Sequence, residues 1–181
     1  MLRIVLELVP EMWDEAKEEF IPPVVQTLEL EHSLVSLSKW ESKYCKPFLS
    51  KGDKSTEEVL DYIQFMTLTP NVDPVVYGYL TNAHIDEIQR YIEAPMTAAV
   101  VPETKGNGGN QDTIVSELIY YWMFSLGIPL EFENLHLNRL LSQVKVCNFK
   151  NQPPKKMSQQ EIMAQHKALN EARKKKYNTK G

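Results

Sequence analysis

Hydrophobic and polar positions change period several times along this chain, and each change marks an element. Positions 2–9 (LRIVLELV) are rich in branched residues and alternate imperfectly, which predicts a strand. Positions 25–31 (VQTLELE) alternate again. Val25, Thr27, Glu29 and Glu31 fall on one face, and Gln26, Leu28, Leu30 and His32 on the other, so a second strand pairs with the first. Between them, positions 11–19 are strongly acidic and are expected as a long loop or a short helix, followed by the break at Pro22-Pro23. From Ser33 the period becomes helical, with Leu34, Val35, Leu37, Trp40 and Tyr44 predicting a helix to about Cys45 that Pro47 ends.

Further along, Ser55 with Glu58 three residues later is a capping box, and Val59, Leu60, Ile63 and Met66 line one face of the helix that follows. Asp73 before Pro74 starts a short helix to Leu80. Asn82 is the expected cap of another helix, carrying Ile85, Ile88 and Ile92 and stopped by Pro95. Positions 96–101 are small and branched, a candidate third strand, and 103–111 (ETKGNGGNQ) reads as a loop. Asp112 is then the expected cap of a helix with apolar residues nearly all round (Ile114, Val115, Leu118, Ile119, Tyr121, Trp122, Leu126), which predicts the central, most buried helix. Positions 131–146 predict one more helix. Beyond the prolines of 151–157 (NQPPKKM), Ser158 and Glu161 form a second capping box, opening a thinly apolar helix to about Lys176.

These elements predict an α+β fold: two or three N-terminal β-strands packed on a mainly α-helical body, with a separate basic C-terminal helix. The expected organisation is a folded body over 1–150, a Pro/Lys linker over 151–157 and a basic helical arm over 158–181. At 181 residues, 43% of them hydrophobic and 24% charged, the chain can bury a core without disulfides or metal. Charge divides unevenly. Residues 1–133 hold 22 acidic and 9 basic side chains, a balance of −13, whereas 134–181 hold 2 and 11, a balance of +9. An acidic body with a basic end suits an acidic partner, nucleic acid, or folding back on itself. Cys45 and Cys147 form no CxxC pair and are expected as buried or half-buried thiols in a reducing compartment. The opening MLRIVLELVP is too short in apolar residues for a secretory leader. The apolar stretch 118–130 falls short of a membrane span, so a soluble, cytoplasmic protein without membrane contact is expected.

Candidate chemistry is sparse. His32, His84, His136 and His166 sit in no HExxH motif and beside no Cys at ligand spacing. His84 with Asp86 and Glu87 reads better as the solvated first turn of a helix than as a metal site. Lys105 precedes its glycines and no GK[ST] follows, which argues against a phosphate loop. The paired acids Glu18-Glu19, Glu57-Glu58 and Asp86-Glu87 are explained by helix starts rather than by acid–base work. No nucleophile motif or dinucleotide fingerprint occurs, so no enzyme, cofactor or metal is expected. The candidate partner-binding residues are Trp13, in an acidic irregular stretch, and the arm's Lys155, Lys156, Ile162, Met163, Leu169, Arg173, Lys174, Lys175 and Lys176. Trp40 and Trp122, set in strong helical periodicity, are expected in the core.

Three runs carry a resemblance: LELEHSLVSLSKWESKYCKPFLSKGDKSTEEVLDYI (28–63), SELIYYWMFSLGIPLEF (116–132) and HLNRLLSQVKVCNFKNQPPKKMSQQEIMAQHKALNEARKKKYNTKG (136–181). With them the chain resembles the tail assembly chaperones of long-tailed bacteriophages. That resemblance implies a non-virion factor in the host cytoplasm. It would bind the tape measure protein and the tail tube protein and keep both soluble until the tube polymerises. It brings no catalytic residues. Two other readings stay open beside it: a virion structural protein, as head–tail connector or tail completion subunit, and a small nucleic-acid-binding protein using the basic arm. A homo-oligomer is a further expectation, since a tethered helix can swap between copies.

Overall fold

The computed structural model describes residues 1–15, 17–50, 52–99, 113–151 and 159–178. The chain divides into two compact units, Met1–Lys150 and Asn151–Gly181. The fold is α+β, as the period changes predict.

In the first unit, β1 (Leu2–Val9) pairs antiparallel with β4 (Val24–Leu30) in the register Leu2 to Leu30, Ile4 to Leu28 and Leu6 to Gln26. Alternation puts Ile4, Leu6, Leu28 and Leu30 on the inner face, where all four are buried. Val5, Glu7, Val25 and Glu29 take the outer face. The acidic stretch between these strands is neither loop nor helix. It forms a β-hairpin, β2 (Met12–Asp14) with β3 (Glu19–Ile21). A three-residue strand is too short for a period to register, and the acidic tip hides the alternation.

Four α-helices of this unit are legible from their ends. α1 (Leu34–Tyr44) starts at Ser33, whose hydroxyl caps the Ser36 N–H, and ends at Cys45 in a left-handed conformation. α2 (Thr56–Met66) carries the Ser55–Glu58 capping box. Asp73 caps a single-turn-type helix, Pro74–Tyr79, which is 3-10. α3 (Asn82–Glu93) is capped by Thr81 rather than Asn82, with His84 closing the box. α5 (Leu137–Asn151) begins later than predicted, because Leu130–Asn134 is a separate 3-10 turn. It also runs past the predicted end at Val146, to Asn151. Met96–Ala99 forms no strand. Met96 follows Pro95 with a positive φ of 48°, a left-handed kink no strand tolerates, and no neighbouring strand pairs there.

α4 (Ser116–Ser125) departs furthest from expectation. Only Ser116, Ile119 and Met123 are buried, while Tyr121 and Phe124 are 65% and 68% exposed and Trp122 is half-buried. A helix apolar all round carries no periodic signal of which side the core will take. Its cap is also not local. Asp112 lies outside the described residues, and Val115 offers no side-chain cap. Instead the buried Glu41 of α1 accepts from the Ser116 N–H at 2.7 Å and from the Phe48 N–H at 2.9 Å. One carboxylate thus holds the start of α4 and the chain leaving α1.

Two apolar clusters fill the unit. The first joins the ribbon to α2 and α3 through Ile4, Leu28, Trp40, Ile63, Met66 and Ile88. The second gathers Leu34, Leu37, Ile119, Met123, Leu137 and Leu140. α1 serves both, with Trp40 in the first and Leu34 and Leu37 in the second. Trp40 is core as expected, its indole N–H donating to the Glu58 carbonyl at 2.9 Å. Cys45 is exposed, which corrects the expectation of a buried thiol, because the helix C-terminus turns it outward. Cys147 is half-buried, and both cysteines are free.

Candidate partner-binding site

Buried polar groups of the first unit pair with one another. His32 and His136 face each other, ring centres 5.1 Å apart, where β4 runs into α1 and meets α5. His136 Nε2 donates to the Tyr91 carbonyl at 3.0 Å, so its Nδ1 is the acceptor of the Asn138 N–H at 3.3 Å. That pattern suits the neutral ring, and burial lowers its pKa. Burial and the charge of His136 push His32 down to about 3, and its Nδ1 lies 2.6 Å from the Tyr62 hydroxyl. Tyr91 donates to Glu31 at 2.6 Å, and the terminal ammonium of Met1 sits 2.7 Å from the same carboxylate.

At the surface of α1 and α2, Asp61 accepts from Lys43 and Tyr44. Desolvation works against the Asp61 carboxylate, but those two hydrogen bonds outweigh it and hold its pKa low. The Lys46 ammonium beside Glu58 lowers that carboxyl as well, helped by the Ser55 N–H. Among the described residues no group of three His, Cys, Asp or Glu side chains is placed to hold a metal ion, and no helix is long and apolar enough to cross a membrane. A shallow groove of about 270 Å³ opens between α2 and α3, lined by Phe48, Val59, Ile63, Ile85, Ile88 and Ile92.

Exposed apolar groups are more distinctive than any cavity. Trp13 is 50% exposed and packs edge-on against its cross-strand partner Phe20, ring centres 4.8 Å apart. Met12 and Ile21, the next pair, point to the other face of the hairpin and are exposed too. None of these four belongs to either core cluster. Five carboxylates (Glu11, Asp14, Glu15, Glu18, Glu19) and one cation (Lys17) share the segment. Lys17 lies 3.9 Å from Asp14. Of these four only Trp13 stands out along the chain; Phe20, Met12 and Ile21 join it through strand pairing. The available signal is two short alternating runs flanking an acidic turn.

In the second unit, α6 (Gln159–Tyr177) bears the other predicted residues. Ile162, Leu169, Arg173 and Lys176 fall on one side of the helix at 3.6 residues per turn, and Met163 and Lys174 on an adjoining one. All are exposed, Met163 to 73%. Lys175 lies in the last turn with Lys174 and Lys176, where cations complement the helix dipole. Lys155, Lys156 and the expected cap Ser158 lie outside the described residues, as does the expected loop 103–111.

Comparison with protein-family models, curated proteins and solved structures finds no match to this chain.

Proposed function

We propose that this chain is a non-catalytic tail assembly chaperone of a long-tailed bacteriophage. It acts in the host cytoplasm by binding the tape measure protein, the tail tube protein, or both. The reading comes from the resemblance carried by residues 28–63, 116–132 and 136–181. The observation that best supports it is the amount of apolar side chain left in water on separate elements: Trp13 and Phe20 on the hairpin, Tyr121 and Phe124 on α4, Met163 and Leu169 on α6. Exposed aromatic and methionine groups of this kind suit transient contact with apolar clients. α6 leaves Ile162, Met163 and Leu169 exposed, apolar side chains that a client surface can cover.

Co-expression with the tape measure protein of the same genome tests the reading. A soluble tape measure that co-purifies at moderate salt, and precipitates when expressed alone, is the expected outcome. An insoluble tape measure with nothing bound rejects it. Immunoblots of purified particles separate the connector reading, which requires the protein in the virion. Binding to duplex DNA that falls steeply with salt would favour the nucleic-acid reading instead.

A further inference from the structure

We propose that the β2–β3 hairpin is a docking site for a basic amphipathic segment of a partner protein. The segment's apolar side chains cover Trp13 and Phe20, and its Lys or Arg side chains lie beside Glu11 and Glu15. The inference deepens the chaperone reading and rests on it for the partner's identity as a tail protein. The chemistry that selects the partner is independent of that identity.

The first ground is the apolar surface. Trp13 and Phe20 are 50% and 65% exposed on one face of the hairpin, leaving on the order of 250 Å² of apolar side chain in water there, and Met12 and Ile21 are 52% and 40% exposed on the other face. A hairpin of two three-residue strands gains little stability from its own pairing. Four large apolar residues kept there have no folding role that either core cluster supplies.

The second ground is charge. The segment 11–21 carries five carboxylates against one ammonium. Glu11 and Glu15 stand two residues either side of Trp13, and both are exposed. Asp14 and Glu19 are direct cross-strand partners, a like-charge pairing that weakens a sheet. Lys17, 3.9 Å from Asp14, offsets part of that repulsion. A second copy of the same hairpin adds to it, which argues against self-pairing at this site.

The full-length protein is titrated with a synthetic peptide of about 18 residues, with Leu on one face and Lys on the other, and with a matched Leu/Glu peptide. The Leu/Lys peptide should bind, with affinity falling as salt rises, and the Leu/Glu peptide should not. W13S/F20S, which keeps every charge, should abolish binding. E11K/E15K, which keeps the aromatic pair, should weaken it about tenfold or more. Far-ultraviolet circular dichroism and melting temperature confirm that both variants stay folded. Equal binding by wild type and variants, or no binding by wild type, overturns the proposal. So does a wild-type dimer that W13S/F20S turns into a monomer, since the occupant is then a second copy. Peptide binding without co-purification of the tape measure leaves the hairpin site standing and removes the chaperone reading; the reverse result does the opposite.

Discussion

The two antiparallel strand pairs, β1–β4 at the base and β2–β3 at the tip, are made of the same kinds of residue, yet they meet different fates. At the base, Ile4, Leu6, Leu28 and Leu30 are at most 2% exposed and share one apolar cluster with residues of α2 and α3. At the tip, Met12, Trp13, Phe20 and Ile21 are as apolar and remain in water. Hydrophobicity therefore does not decide burial here; the presence of a helix against one face does. Where no helix covers the strands, apolar side chains stay in water and add little to stability, and the carboxylates crowded around them favour solubility of the exposed end.

The comparison can be broken first at the base. Leu28→Ala removes a fully buried side chain from the first cluster and should cost roughly 2–5 kcal/mol in urea unfolding. A loss below about 1 kcal/mol would show that the ribbon base does not anchor the core.

A smaller effect is expected from pH at the seam where the ribbon enters α1. The folded-state pKa of His32 is pushed down to about 3 by burial and by His136, below its ordinary value of 6.5. The folded protein therefore prefers the neutral ring, and this contribution is complete above pH 6.5. It is lost progressively as pH falls from 6.5 toward 3, because the unfolded chain takes up the proton first. At pH 5 the loss from His32 should reach about 2 kcal/mol, with His136 adding in the same direction. Urea midpoints at pH 7 and pH 5 measure it, and His32→Asn should flatten the difference.

The smallest effect on stability belongs to the tip. Phe20→Ala should change the unfolding free energy by no more than about 0.5 kcal/mol. Its consequence should appear in partner binding. A destabilisation near that of Leu28→Ala would mean that the tip is structural and not a recognition surface.

Much of the fold is legible along the chain. Ser55 and Asp73 each announce the helix they cap, because a cap acts over two or three residues and both partners lie in one short window. The alternation of β4 names its buried face, since Leu28 and Leu30 share one side of a pleated strand. The candidate site is only partly legible: Trp13 stands out as an aromatic in an acidic stretch, but its partner Phe20 is identified by strand pairing alone.

The sequence by itself determined where most elements start and stop, the α+β character, and the opposed charges of body and arm. These follow from steric, capping and periodic preferences that act between near neighbours. Only the tertiary structure decided which side of α4 is buried, that Glu41 meets the start of that helix, and that Trp13 faces Phe20 at an uncovered tip. Those outcomes join positions far apart in the chain, 75 residues in the case of Glu41 and Ser116. An all-round apolar helix and a three-residue strand carry no local signal able to choose them.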